Sequence, residues 1–494
     1  MTAGPGQGPV AGLPPRIHPL VRTFLSREDV VVGLLTLYGS PLHVVFPEIF
    51  AENVASLRQV ADDSGLSYRI FYAHKANQAA AFVRAALDEG ISIDVASPGE
   101  LTSALGGGFP PGRVEATGPK GRAFLSALSE PGVTVNADNP WELSEIIRLA
   151  RARSSEPVPV LVRVSGFGSA TGRASRRVSR FGVPASCFGA VISLLRAATD
   201  AVGFRGLSFH LDSGEAAEKV QAVEECLALL EQCWAAGLAP SVLDIGGGFR
   251  QAFTGDPAAF EEYVQALKHG LAGREQPLTW DGNMLGYRYE NGEIRGVPVF
   301  HKYANAAPAG GFLRELLDSP LPGHGGRTVA RVLRETMIEL WLEPGKSLVD
   351  HAGITLASVE FTKPVPGGNF LVNLDISRDK ICPADQEVML DPVLIHRSAP
   401  RGADAQRAGV FFAGNLCLER DMIFNHLTFL DRLPSPGDIV AFANTAGYQM
   451  DLSASAALMQ RQPGKTVVRR NGAGFTAHAD SGEEASCSTV TSPS

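Results

Sequence analysis

The chain has 494 residues, 45% hydrophobic and 19% charged, the composition of an ordinary globular protein long enough to bury more than one core. Lys plus Arg number 44 against 52 Asp plus Glu, and the resulting net charge of −8 argues against a general polyanion-binding role and implies no nucleic-acid partner. The six cysteines, Cys187, Cys226, Cys233, Cys382, Cys417 and Cys487, form no CxxC pair and no metal-ligand spacing, so neither a disulfide framework nor a metal site is indicated and a reducing cytoplasm fits best.

Taken in chain order, residues 1 to 30 read as a mobile tail and lead-in, Gly- and Pro-rich without the apolar core of a signal segment. No later apolar run reaches the roughly 18 residues a membrane span needs, and a soluble cytoplasmic protein is expected. Short apolar runs then alternate with helical stretches: YRIFYA (68 to 73), ISIDVA (91 to 96), RVEATG (113 to 118), VTVNAD (133 to 138), PVLVRV (159 to 164), RGLSFHL (205 to 211), SVLDIGG (241 to 247) and IELWLEP (338 to 344). Eight strands alternating with helices predict an α/β fold, a (β/α)8 TIM barrel, over 31 to 345. A doubly wound open sheet permits the same alternation, but the count favours the barrel.

The helical stretches support this. Between Glu215 and Gly237, Val220, Val223, Leu227, Leu230 and Trp234 recur at helical spacing, with Cys226 and Cys233 as packing residues and Gly237 as the stop. Residues 250 to 337 are too long for one barrel helix and its loops, so an insertion near the barrel mouth is expected, with a β-hairpin at Asn291-Gly292. From 346 to 463, runs such as GITLASVEF and GDIVAFAN predict a second, mainly β domain, joined by part of the N-terminal segment. Residues 464 to 494 read as a disordered tail.

In a barrel enzyme the chemistry gathers at the C-terminal strand ends. Near those ends stand Lys75, Asp94, Arg163, His210 with Ser213, Gly246, Gly247, Gly248 and Glu343. The set suits an aldehyde cofactor that carries a phosphate and a heteroaromatic ring. A lysine amine can form a Schiff base, and tandem glycines expose N–H groups to phosphate. A carboxylate can keep a pyridine nitrogen protonated, making the ring an electron sink, and a histidine can stack on the ring. Each residue also has a structural reading: Lys75 in a salt bridge, Asp94 paired with Arg163, Ser213 as a helix cap, His210 in a core and the glycines as a turn. Their joint placement favours the site.

The motifs YAHKAN (72 to 77), DVASPGEL (94 to 101), SRFGV (179 to 183), SFHLDSG (208 to 214), LDIGGGF (243 to 249), EPGK (343 to 346), GNLCLERD (414 to 421) and AGYQ (446 to 449) resemble one family. This is the group of fold type III pyridoxal-phosphate-dependent decarboxylases, especially the diaminopimelate and ornithine decarboxylases; the chain is similar to it over roughly residues 30 to 460, as a divergent member. The resemblance implies pyridoxal 5′-phosphate as cofactor, with Lys75 forming the internal aldimine and His210 stacking on the ring. It implies phosphate contacts from Ser213, the Gly246 to Gly248 turn and Tyr448, with Glu343 on the pyridine nitrogen and Asp94 and Arg163 in support. It also implies a homodimer whose interface holds the active site, Cys417 coming from the second subunit to protonate the carbanionic intermediate. Lys346, Glu419 and Asp421 are the implied substrate contacts for a small amino-acid substrate.

Three departures bear on the substrate. Asp212 stands for the glycine of the HxGS pattern, Lys346 for the arginine of EPGR, and Leu418 for the acidic residue after the cysteine. Lysine offers a point charge where arginine makes a forked contact. Leu418 implies a substrate other than diaminopimelate, lysine or ornithine, such as a modified amino acid. Glu343 favours decarboxylation of an L-amino acid or its derivative over racemisation, because the alanine racemases of this barrel type carry arginine there. An amino-acid racemase and a non-catalytic cofactor-binding homologue are the alternatives.

Overall fold

The structure, a computed structural model, describes residues 12–128, 132–153, 156–168, 179–212, 214–300, 308–383, 388–397, 407–453, 455–480 and 488–489. The chain forms two compact units. One comprises Phe50–Arg250 and Ala307–Leu348, the other Met1–Ile49, Gln251–Ala306 and Val349–Ser494.

The first unit is a closed barrel. Its strands are β1 (Tyr68–Ala73), β2 (Ser92–Val95), β3 (Val114–Ala116), β4 (Thr134–Ala137), β5 (Val158–Ser165), β6 (Val202–Ser208), β7 (Val242–Asp244) and β8 (Glu339–Leu342). They pair in that order, all parallel, and β8 returns to β1 through Leu340 opposite Tyr68. These are the eight apolar runs of the sequence. Every residue of β2, β3, β4 and β7 is buried, as expected when helices cover one face of a parallel sheet and barrel-filling side chains the other. Phe71, Leu161, Val242 and Trp341 form one cluster of that filling.

The helix Ala216–Ala235 shows where periodicity misleads. Val223, Leu227 and Leu230 are buried as expected, and so are Cys226 and Cys233, but Lys219 takes the inward position next to Val220, which is only half-buried. Trp234 is half-buried too, its indole N–H donating to the Pro240 carbonyl at 3.0 Å.

The second unit is built on a ten-stranded sheet that includes Leu42–Val45, Gly353–Val365, Asn369–Leu374, Ala408–Ala413 and Ile439–Phe442. Leu42–Val45 of the N-terminal segment lies between Gly353–Val365 and Gly464–Asn471. Two expectations are corrected. Residues 464 to 480, read as tail, form the strands Gly464–Asn471 and Gly474–Ala479, paired antiparallel, because Val467 and Val468 are buried on the two faces of the first strand and Phe475 and Ala477 on one face of the second. Residues 251 to 306, read as a barrel insertion, belong to the β unit. Phe260, Tyr263, Val264 and Leu267 of the helix Pro257–Leu271 pack with Leu371, Phe411 and Leu427, and Tyr263 donates to the Leu427 carbonyl at 2.6 Å. The hairpin at Asn291-Gly292 is present, joining Tyr287–Glu290 to Glu293–Gly296. Leu13 and Phe24, in the segment read as tail and lead-in, are fully buried. Among the described residues no helix is long and apolar enough to cross a membrane.

Candidate active site

Strand register brings the first two site residues together. Ala73 at the end of β1 lies opposite Asp94 on β2, and the chain leaves β1 in a single helical turn, His74–Ala76. The turn is pinned by Ala73 N–H on the Pro344 carbonyl at 3.2 Å and by the Tyr72 hydroxyl on the Asn77 carbonyl at 2.8 Å. Lys75 is thereby aimed at Asp94, with Nζ 3.7 Å from Oδ2. The lysine side chain keeps 38% of its surface exposed while the Asp94 side chain keeps 1%, so the amine is accessible and its counter-ion is not. Thr117 donates to the other Asp94 oxygen at 2.7 Å and holds it in place.

Below this pair lie three further buried acids. Glu115, Asp244 and Glu343, from β3, β7 and the residue after β8, each bring a carboxylate oxygen within 4.8 Å of the others. Carboxylates so close in a dry interior cannot all ionise. Burial, then Asp244 and Asp94, push Glu343 well above the usual carboxylate range, against the pull of Lys75 and Arg163. Burial and the neighbouring acids push Glu115 up likewise, opposed by a hydrogen bond from Asn136 at 3.1 Å. Asp244 is pushed up to about 6 by burial; the Gly246 N–H, donating to Oδ1 at 2.7 Å, a hydrogen bond with Glu343 and the charge of Lys219 restrain it. Glu343 Oε1 is buried and has no hydrogen-bond partner among the described residues.

The glycine turn lies between the ends of β6 and β8. Gly246 and Gly248 have φ of +65° and +73°, a region side chains rarely adopt. A Cβ on Gly246 would stand 2.5 Å from the Phe209 carbonyl oxygen, and one on Gly247 2.5 Å from that of Glu343, so this close approach of backbones requires glycine. Gly247 N–H donates to His210 Nδ1 at 3.2 Å, which makes that nitrogen an acceptor. Burial, with Lys75, Lys219, Arg163 and Lys346 nearby, holds His210 well below the usual imidazole range, so the ring is neutral. Arg163 does not pair with Asp94; its guanidinium lies 4.6 Å from the ring centre of Phe181, the aromatic residue of SRFGV. Lys346 Nζ lies 3.4 Å from Asp212 Oδ2, so two of the departures from the family pattern meet as a pair. Ser213 lies outside the described residues.

Cys417, Glu419, Asp421 and Tyr448 belong to the β unit. Cys417, Leu418 and Glu419 are exposed on one loop. Asp421 is buried, and its oxygens accept the backbone N–H groups of Arg378 at 2.8 Å and Leu416 at 2.6 Å. Within this chain the Asp421 carboxylate shapes the Cys417 loop. Tyr448 is half-buried with φ of +67°.

Sequence reasoning missed Glu115, Asp244 and Lys219. An acid inside the short run RVEATG was the signal for the first, and Asp244 stood unassigned within the quoted LDIGGGF. The residues fit pyridoxal phosphate on two observations. Glu343 offers a buried oxygen with no hydrogen-bond partner among the described residues, suited to a pyridine nitrogen, and Lys75 offers an accessible amine at the end of a neighbouring strand.

Comparison with known proteins agrees. Residues 51–277 match the family model described as the pyridoxal-binding domain of pyridoxal-dependent decarboxylases. The uncharacterized protein y4yA of Sinorhizobium fredii is 30% identical over 89% of this chain and 90% of its own. Diaminopimelate decarboxylase of Bacillus subtilis is 26% identical over 83% of this chain and 82% of its own. Among solved structures, the diaminopimelate decarboxylase of Helicobacter pylori complexed with L-lysine superposes with a TM-score of 0.65 at 15% identity, covering 91% of this chain and 95% of that one. The lysine/ornithine decarboxylase of Vibrio vulnificus complexed with putrescine gives a TM-score of 0.63 at 20% identity, covering 90% and 98%. At such identities the structures establish the fold.

Proposed function

We propose that this chain, which belongs to the pyridoxal-phosphate-dependent decarboxylases of fold type III, removes the α-carboxylate of an L-amino acid or amino-acid-derived substrate. The single observation that carries the reading is the accessible Lys75 amine, held by Asp94, in the same barrel as the buried Glu343, whose carboxyl is pushed well above the usual carboxylate range by burial and its acidic neighbours. The cofactor, when bound, supplies an electron sink for the pair left behind when carbon dioxide departs.

The chain's own residues do the rest. Lys75 would hold the aldehyde through its amine, with Asp94 orienting that amine. His210 would lie against the ring, and its neutrality suits stacking without repelling a protonated pyridine. The N–H groups of Gly246 to Gly248, with Ser213, would hold the phosphate, and Lys346 would contact the substrate. Glu343 would give its proton to the pyridine nitrogen and remain beside it as a carboxylate, which makes the ring the stronger acceptor that decarboxylation uses. Cys417, contributed by a second copy of the chain, would protonate the carbon that has lost its carboxylate. Leu418, beside it, takes the place of the family's acid and supports a substrate other than diaminopimelate, lysine or ornithine, such as a modified amino acid.

The test is a panel of amino acids, modified ones included, followed for carbon dioxide release with identification of the product. Release that disappears in Lys75→Ala, along with the bound-cofactor absorbance, supports the reading. Inversion at the α-carbon without carbon dioxide would make the protein a racemase.

A further inference from the structure

The mechanism leaves one buried ion unused. Lys219, on the helix Ala216–Ala235, is fully buried, with Nζ 5.5 Å and 5.6 Å from the ring centres of Phe209 and Phe249. An ammonium in such surroundings is expensive to hold without a carboxylate partner. Among the described residues none lies within 4.0 Å; Nζ donates instead to the Ile245 carbonyl at 2.9 Å.

That carbonyl belongs to the same peptide group as the Gly246 N–H, which donates to Asp244 Oδ1 at 2.7 Å. An ammonium on the oxygen of an amide polarises it and strengthens its N–H as a donor. The positive charge behind the Ile245–Gly246 peptide is therefore delivered, through that N–H, to Asp244. Asp244 in turn neighbours Glu343, whose own N–H donates to the Gly246 carbonyl at 3.0 Å. Two adjacent buried carboxyls keep a proton between them, and it stays on the one with fewer donors. Each acid has one buried oxygen without a partner among the described residues, Asp244 Oδ2 and Glu343 Oε1, but Asp244 Oδ1 also accepts the Gly246 N–H that Lys219 reinforces.

We propose, on the reading of the cofactor site given above, that Lys219 is a positioning residue: a buried cation that acts on Glu343 through the Ile245–Gly246 peptide and Asp244, and keeps the shared proton on Glu343, where the pyridine nitrogen docks. The other charges facing this pair are Asp94, Glu115, Lys75 and Arg163, and those facing Lys219 are Asp212, Asp244 and Glu343. Burial lowers Lys219 to about 8, which leaves it charged at neutral pH. With the cofactor bound, Glu343 would give its proton to the ring nitrogen and remain as a carboxylate beside it, so charge would be conserved.

The experiment titrates the absorbance of bound pyridoxal phosphate against pH in the full-length protein. It compares wild type, Lys219→Met, Asp244→Asn and the double variant, with folding followed by circular dichroism. Removing a cation makes nearby groups hold protons more tightly, so Lys219→Met raises the midpoint by about one pH unit, a tenfold change in proton affinity. Asp244→Asn lowers it, and the double variant matches Asp244→Asn alone, because the effect of Lys219 runs through Asp244. Lys219→Gln, which keeps a donor to the Ile245 carbonyl without the charge, is read alongside so that poor packing of methionine leaves the test standing. An unmoved midpoint in the folded Lys219 variants, or additive shifts in the double variant, overturns the inference. A wild-type protein with no bound-cofactor absorbance overturns the cofactor reading itself, a separate result.

Discussion

The two units place their chemistry in opposite ways. In the barrel, Lys75, Asp94, His210 and Glu343 are fixed by strand register and by backbone hydrogen bonds of the ends that carry them, and all of them except the Lys75 amine are largely or wholly withdrawn from solvent. In the β unit, Cys417 and its neighbours stand exposed on a loop whose shape depends on one buried carboxylate, Asp421. A rigid strand end suits groups that must hold a cofactor and a proton at set positions. An exposed loop suits the role proposed for Cys417, which would act on another copy of the chain.

Substitutions can break this contrast. The largest effect is expected from Lys75→Ala: turnover falls by about a thousandfold or more and bound-cofactor absorbance disappears, since the accessible amine beside Asp94 is gone. Spectra and carbon dioxide release read both, and a variant that kept its absorbance would remove Lys75 from its assigned role. Cys417→Ala comes next, slowing turnover by about a hundredfold, the scale of one lost proton donor, or diverting product toward transamination while the absorbance survives. Unchanged rate and product partition would make the exposed loop a bystander.

A smaller effect concerns folding without cofactor. Asp244 is raised from its ordinary 3.8 to about 6. Between those values the folded protein holds more protons than the unfolded chain, so the stability present below the lower value is lost as pH rises through the higher one. Asp244→Asn removes the titrating group, and calorimetry of the cofactor-free protein is expected to show a flatter stability profile over that window and a melting temperature a few degrees higher at neutral pH. An unchanged slope would mean that Asp244 does not titrate there.

Much of the barrel half was legible in advance because its signals are local. A parallel strand buried on both faces reads as a short apolar run whatever surrounds it, which is why all eight appear, and the glycines of the LDIGGG turn announce themselves. Residues 464 to 480 were misread because the same small and β-branched residues make either a tail or a strand, and only a neighbouring edge decides. The helix Pro257–Leu271 has an apolar face that fits any core; its contact with Leu371 and Phe411 settled which.

The sequence by itself determined the barrel strands, the family and the identity of Lys75, His210 and Glu343 as candidates, because motif and periodicity both act over a few consecutive residues. Only the tertiary structure decided that Lys75 meets Asp94 while Arg163 lies on Phe181, and that Glu115 and Asp244 crowd Glu343. It also decided that Lys219 turns inward where Val220 was expected. Those outcomes depend on charges converging from strands far apart in the chain, and burial, which makes such convergence consequential, has no local signature.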